Sequence, residues 1–282
     1  MKTVLVVAKR GSAAAESLAR EIRARFPEKR LLAERSLAQT LGWEQIHDSQ
    51  ELAALADLVV VLGGDGTLIH AARLLRGRAV PVLGVNLGSL GFMTEVTVAE
   101  CFPMLEAVFA GHFEVDRRMK LACKLYRHDQ LTVDDEVLND VVINRGAFAR
   151  IVDHECLIDG HYIATFKADG VVLATPTGST AYALAAGGPI VHPSVDCVVL
   201  APICPHALTQ RPIVVPGDRT LGIHLRNEVS DVYLTLDGQQ GHPLETGDRL
   251  EVRRSENRLH LIRNPRVDYF SILRQKLRWG ER

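Results

Sequence analysis

Along the first third of the chain, continuous apolar runs alternate with stretches of helical spacing. Residues 3–8 (TVLVVA) are apolar throughout, and after Ser12 the segment AAAESLAREIRARF repeats its apolar positions at helical intervals until Pro27 stops it. A second run, DLVVVLGG at 57–64, leads into DGTLIHAARLLRG, where Leu68, Ala71, Ala72 and Leu75 recur at helical spacing before Gly77. A third, VPVLGVN at 80–86, follows at once. Uninterrupted apolar strands joined by helices predict a parallel sheet buried on both faces, with ligand-binding loops at the carboxyl ends of its strands. The glycine-rich turns at 63–66 and 88–91 therefore fall on one edge of that sheet.

Beyond residue 113 the pattern changes. Alternating segments such as YLTLDGQ and DRLEVRR are separated by turn signals, among them Asp159-Gly160, Asp237-Gly238 and Thr246-Gly247-Asp248. They predict a β-rich second domain made of two packed sheets. The segment SILRQKLRW at 271–279 has the spacing of a short amphipathic helix and is expected to return to the first domain. The expected division is an α/β domain over 1–97, joined by the tail 266–282, and a β-rich domain over 98–265.

Composition narrows the function. The 282 residues are enough for two domains, and 47% hydrophobic with 24% charged residues is an ordinary globular balance. Thirty-three basic against 34 acidic residues leave a net charge of −1, so no global field recruits nucleic acid or an anionic membrane. The opening apolar run is broken by Lys9 and Arg10, too short for a signal sequence, and no other run approaches the ~20 residues of a membrane helix. The expected location is the cytoplasm. Cys101, Cys123, Cys156, Cys197 and Cys204 are odd in number and never arranged as CxxC, which favours buried thiols over disulfides or a zinc site. His112, His128, His161, His224 and His260 show no metal-ligand spacing, and no metal-binding residues are assigned.

Two segments carry chemistry. In Gly63-Gly64-Asp65-Gly66-Thr67 a buried strand becomes a helix, so glycine backbone can let amide N–H groups approach an anion at the helix N-terminus. A tight turn with Asp65 as its N-cap would explain the same residues without chemistry. A carboxylate aimed at phosphate is repulsive unless it serves a cation or takes a proton from the attacking hydroxyl, so Asp65 beside a polyphosphate implies phosphoryl transfer. The GxxxxGK[ST], GxGxxG and HRD patterns are all absent. The second segment, Thr175-Pro176-Thr177-Gly178-Ser179-Thr180, follows an apolar strand and precedes the helix-prone AYALAAGG, which clusters hydroxyls and amides at another helix start. Lys167 and Asp169, just before that strand, also read as a solvated pair.

Taken in order, GGDGT at 63–67, NLGSLGFMT at 86–94, LNDVVI at 138–143 and DGVVLATPTGSTAYALAAGGPI at 169–190 resemble the bacterial-type NAD kinase family, which uses ATP or polyphosphate. PICPHALTQRPIV at 202–214 and DGQ at 237–239 extend the likeness over nearly the whole chain. GGDGT alone is shared with phosphofructokinases and with diacylglycerol and sphingosine kinases; TPTGSTAY with LNDVVI is not. The resemblance implies a Rossmann-like, phosphofructokinase-like α/β N-terminal domain with a parallel sheet, and a β-rich, two-sheet C-terminal domain that binds NAD. It implies transfer of the ATP γ-phosphoryl group to the 2′-hydroxyl of the adenosine ribose of NAD+, with Mg2+ as the divalent cation, in a homodimer or homotetramer. Carried over by position, Asp65 is the general base, and Gly63, Gly64, Gly66 and Thr67 form the phosphate-donor turn. Gly66 also contacts the dinucleotide. Asn139 and Asp140 hold ribose hydroxyls and neighbouring polar groups; the family often has Asn-Glu here, and Asp140 is one methylene shorter. Lys167, Asp169, Thr180, Ala181, Tyr182, Ala183, Leu184, Ala185 and Gln239 fall on further NAD-binding positions, as do His70, Arg150 and His154.

Overall fold

The structure is a computed structural model that describes residues 1–44, 49–146, 151–226 and 231–279. It divides into two compact units, Met1–Arg117 with Leu259–Arg282, and Arg118–Arg258. The first unit thus runs past the boundary expected at 97, because the helix Cys101–Phe109 buries Cys101, Leu105 and Val108 in the same core as Val4, Val60 and Leu83.

The first unit carries strands β1 (Thr3–Ala8), β2 (Arg30–Ala33), β3 (Leu58–Leu62), β4 (Pro81–Asn86) and the short β5 (Val96–Thr97). Its helices are α1 (Ala13–Arg25), α2 (Arg35–Leu41), α3 (Ser49–Leu55), α4 (Asp65–Leu74) and α5 (Cys101–Phe109). The strands pair in parallel in the order β2-β1-β3-β4. Every residue of β3 is buried, as expected of a strand covered on both faces. Ser12 caps α1 by accepting from the Ala15 N–H at 3.3 Å, and the helix ends before Pro27. From β1 the chain steps outward to β2 and then crosses back to β3, so the strand order reverses between β1 and β3. Ligands of such sheets bind outside the carboxyl ends of the strands at that reversal, where the 9–12 and 63–67 loops lie.

The second unit is built from β6 (Val115–Arg127) from Arg118 onward, β7 (Gln130–Val137), β8 (Asp140–Arg145), β9 (Val152–Ile158), β10 (His161–Ala168), β11 (Gly170–Ala174), β12 (Cys197–Ile203), β13 (Ile213–Pro216), β14 (Leu221–Leu225), β15 (Val232–Leu236), β16 (Gln240–Leu244) and β17 (Arg249–Ile262) as far as Arg258. Six of these form an antiparallel sheet in the order β13-β12-β11-β8-β15-β16. Val141, Ile143, Val171, Leu173 and Leu234 point from this sheet into a core shared with Leu121, Cys156, Ile223 and Val252 of the other strands. On its opposite face Val142, Val172, Val199 and Ala201 pack under Ala183 of the single-turn helix α6 (Tyr182–Ala185). Burial on both faces explains why β8, β11 and β12 are nearly continuous apolar runs. The last helix, α7 (Tyr269–Leu277), belongs to the first unit and is capped by Asp268, which accepts from the Ser271 N–H at 3.0 Å.

All five cysteines are free thiols; four are buried, and Cys204 is exposed, contrary to expectation, because it lies just beyond the end of β12, outside the buried strand. Among the described residues no helix is long and apolar enough to cross a membrane.

Candidate functional site

In the first unit Gly64 occupies the N-cap of α4 and Asp65 is the first helical residue, so the N-cap reading of Asp65 is corrected. Its carboxylate instead reaches the loop after β4. Oδ2 accepts from the Phe92 N–H at 2.8 Å, and Oδ1 accepts from the Met93 and Thr94 N–H groups and the Thr94 hydroxyl, each at 3.1 Å. A Cβ at Gly91 would collide with Asp65 Oδ1 and the Thr94 hydroxyl, which is the physical reason for glycine there. The two glycine turns are one structure: the second grips the acid of the first. A carboxylate offers about four lone-pair positions. Oδ1 is crowded, while Oδ2 has one donor and can face a hydroxyl.

Gly63 is buried, Gly64 and Thr67 are partly covered and Gly66 is exposed, so Gly66 is the residue of the turn most open to a ligand. His70, one turn into α4, does not point to an open phosphate position. Its Nε2 lies 3.0 Å from both carboxylate oxygens of Glu34, and Nδ1 lies 3.5 Å from an Arg73 nitrogen. Glu34 also lines a cavity of about 470 Å³ outside the carboxyl ends of β1 and β2, with Lys9, Arg10, Gly11, Arg35 and Ser36 around it. That volume is within the usual range for small-molecule sites. The Lys9 N–H donates to Leu62 O at 2.9 Å, tying the cavity's rim to the end of β3 just before the GGDGT turn.

In the second unit three sequence-distant segments meet because β11, β8 and β15 are neighbours. β8 begins at Asp140, opposite the end of β11 at Ala174, and the end of β15 at Leu236 pairs with Val141. LND, TPTGST and DGQ therefore share one end of the sheet. The Thr175 N–H donates to Asn139 O at 2.8 Å and its hydroxyl to Leu138 O at 2.6 Å. The backbone is so close here that a Cβ at Gly178 would overlap the Asn139 carbonyl. Asn139 Oδ1 is buried and has no hydrogen-bond partner among the described residues. An orphaned acceptor of this kind is costly unless a ligand satisfies it. Asp140 is 5% exposed, and burial followed by the charge of Asp237 raises its carboxyl to about 7, against a hydrogen bond from the Tyr182 N–H.

The hydroxyls expected to greet a ligand are largely spent on turns. Ser179 donates to Pro176 O at 2.6 Å and Thr180 to Thr177 O at 3.2 Å, and the helix they precede is a single turn. What remains open is the side of α6: Tyr182 and Ala185 are exposed, Ala181 and Leu184 partly so, while Ala183 is fully buried and offers no surface to a ligand. Burial, followed by the charges of Cys204, Asp169 and Asp140, raises the Tyr182 phenol. Asp169 stands just before β11, paired with Arg145 Nε at 2.6 Å rather than with Lys167. Lys167 is exposed on β10, and Gln239 is exposed after the Asp237-Gly238 turn. His154 does not join the cluster. It is completely buried on β9 between Val152 and Cys156, and burial pushes its imidazole down to about 4, with only weak opposition from the Ala168 backbone. Arg150 lies outside the described residues.

Three residues of the site were not singled out from sequence. The sequence marks Asp237 as part of a turn and of the DGQ segment but gives its side chain no role, yet its carboxylate collects the N–H groups of Leu138, Asn139 and Asp140. Arg145 and Glu34 gave no signal, since their roles depend on strand and helix neighbours distant in sequence. Among the described residues no group of three or more His, Cys, Asp or Glu is placed to hold a metal.

Known proteins share the sequence and the fold of this chain. Residues 4–113 match the ATP-NAD kinase N-terminal domain and residues 138–264 the ATP-NAD kinase C-terminal domain. The chain is 51% identical over 284 residues to an NAD kinase of Geobacter metallireducens, covering 100% of both chains. Among solved structures it is similar to yeast NADH kinase complexed with NADH, with TM-score 0.94, 26% identity and coverage of 100% of this chain and 89% of that one. An NAD kinase from Archaeoglobus fulgidus in complex with ATP matches with TM-score 0.76 and 26% identity, covering 99% of each chain.

Proposed function

The chain belongs to the ATP-NAD kinase family, and from that premise we propose that it transfers the γ-phosphoryl group of ATP to the 2′-hydroxyl of the adenosine ribose of NAD+, giving NADP+ and ADP. The observation that carries the reading is the meeting of LND, TPTGST and DGQ on three adjacent strands around the unsatisfied Asn139 Oδ1. Asn139, Asp140, Tyr182, Asp169 and Gln239 hold the dinucleotide, with Lys167 and the exposed side of Thr180–Ala185 at its edge. Asp65 Oδ2 accepts the proton of the 2′-hydroxyl as the oxygen attacks phosphorus. Its Oδ1 stays bound to the 92–94 loop, which fixes the direction of the free lone pair. The donor's phosphates lie along the Gly64–Thr67 turn at the start of α4, and its nucleoside fits the cavity beside Lys9, Arg10 and Arg35. His70, held by Glu34, supports the wall of that cavity.

Mg2+ enters as part of the Mg-ATP substrate. It neutralises polyphosphate charge during transfer. The family likeness supports a homodimer or homotetramer working in the cytoplasm. The test is to incubate the purified protein with Mg-ATP and NAD+ and couple the product to an NADP-specific dehydrogenase. Coupled turnover that disappears in excess chelator is the expected result; no NADP+ formed under any divalent cation refutes the reading.

A further inference from the structure

A buried carboxylate, Asp140, and a half-buried one, Asp237, lie together where β8 begins, and the transfer reaction does not by itself require that. Asp237 has spent both oxygens: Oδ2 accepts from the Leu138 N–H at 2.9 Å, and Oδ1 from the N–H groups of Asn139 at 2.7 Å and Asp140 at 3.1 Å. Its own N–H donates to Asp140 O at 2.9 Å, so backbone bonds in both directions lock the two residues together. The groups facing the pair come from three elements. Tyr182 on α6 gives its N–H to the Asp140 carboxyl and sets its phenol nearby. Lys120 on β6 is the cation acting on Asp237, but its ammonium is bound to Glu136 at 2.5 Å. β11 brings Ala174 and Thr175, which carry no charge.

Three N–H donors hold a carboxylate in its ionised form. To carry a proton, Asp237 would have to turn an O–H against one of them. Burial raises both acids, yet the proton of the pair resides on Asp140, whose oxygens are less occupied. We propose that Asp237 is a positioning residue for the acceptor pocket: it fixes the 138–140 backbone and, as the anion of the pair, keeps Asp140 a neutral acid that donates its O–H to an acceptor atom of the dinucleotide. The proposal rests on the NAD+ reading given above. It explains how a buried aspartate serves a ligand already carrying two phosphate charges: a neutral donor adds no repulsion, whereas a second buried anion would.

The consequence is a pH-dependent affinity. When Asp140 ionises, the donor is lost and a charge appears beside Asp237, so the Kd for NAD+ rises by up to tenfold per pH unit. Asparagine at 140 supplies an N–H donor that does not titrate. The experiment is calorimetric titration of the intact protein with NAD+, without ATP, between about pH 5.5 and about pH 9, for wild type, Asp140→Asn and Asp237→Asn. The wild-type Kd is expected to be flat at the acid end and to climb above neutrality. Asp140→Asn is expected to be flat throughout and at least about tenfold tighter than wild type at the alkaline end. Asp237→Asn, freed of the neighbouring charge, is expected to begin its climb at least about one pH unit lower. A pH-independent wild-type Kd, or an Asp140→Asn protein weaker than wild type at the alkaline end, overturns the neutral-acid role. An Asp237→Asn profile superimposed on wild type overturns the part given to Asp237. If that variant fails to fold, the other two proteins still decide the role of Asp140, and Asp237→Ser, which keeps an acceptor oxygen but removes the charge, replaces it. Absence of NAD+ binding at every pH overturns the dinucleotide reading itself, which binding without pH dependence does not.

Discussion

Replacing Asp65 by asparagine separates the two duties that the structure gives this carboxylate. Its four donors divide unevenly, three on Oδ1 and one on Oδ2. The amide is therefore expected to keep its oxygen toward Met93 and Thr94 and to turn its NH2 toward Phe92. One N–H group then loses its acceptor, at a cost of roughly 1–3 kcal/mol, and the remaining bonds lose their charge assistance. At roughly 2–4 °C per kcal/mol for a chain of this size, Tm should fall by about 2–12 °C. The fold should survive, because Gly64 rather than Asp65 is the N-cap. The catalytic loss is larger. The NH2 now occupies the position that accepted the ribose proton, a donor where an acceptor is needed, and general bases typically contribute about 10²–10⁴ in rate. A loose transition state needs little early deprotonation, which favours the lower end of that range. The assay is steady-state turnover of NAD+ with Mg-ATP, beside a thermal melt and an NAD+ titration. A folded variant turning over within about threefold of wild type would refute the proton-accepting role. An unchanged Tm would refute the grip of the 92–94 loop.

Asn139→Ala should cost less than about 1 kcal/mol of stability, because the lost Oδ1 has no partner to leave behind, while the KM for NAD+ rises about 5- to 150-fold; denaturant titration and kinetics together check the split. Gly178→Ala forces a Cβ into the Asn139 carbonyl, so it should destabilise by at least about 1–3 kcal/mol and weaken NAD+ use together, measured by melting and KM. For His154 the folded imidazole lies near 4, below its ordinary 6.5, so the unfolded chain takes up a proton first as pH falls. The stability that comes from keeping it neutral is full above about pH 6.5 and is lost toward pH 4, by about 2 kcal/mol at pH 5. His154→Leu should remove that part of the acid sensitivity in urea denaturation, and an unchanged pH slope would rule it out.

The parallel sheet was legible because β1, β3 and β4 are buried on both faces and read as unbroken apolar runs, and because Ser12 and Pro27 mark the ends of α1. Residues 28–56 gave no such signal. β2 is four residues long, and α2 is a seven-residue helix ended by Gly42 at φ 66°, too short to show a period. The same segment supplies Glu34, which decides where His70 points. A histidine one turn beyond a glycine turn could not be read without that neighbour. The boundary expected at 97 failed for a related reason: the apolar face of α5 is complementary to a core that only the fold assembles.

The site motifs were easier to find than to interpret, and one cause lies behind the errors. A polar residue in a motif can meet a ligand or build the turn that presents one, and sequence spacing is the same in both cases. Ser179 and Thr180 build the turn, since their hydroxyls go to carbonyls three residues back. Asp65 does both, which is why its loss should be felt in Tm and in turnover. Asp237 was passed over because an Asp-Gly pair suffices for a hairpin turn. Asp237 does sit at φ 53° in that turn, but its side chain also binds three consecutive N–H groups, in the bend before β8 and at its first residue, about a hundred residues away in sequence. Asn139 is the opposite case. Its backbone is held by Asp237 and Thr175 while its buried side-chain oxygen is left unsatisfied, so the fold supplies the stability and the side chain is kept for the ligand.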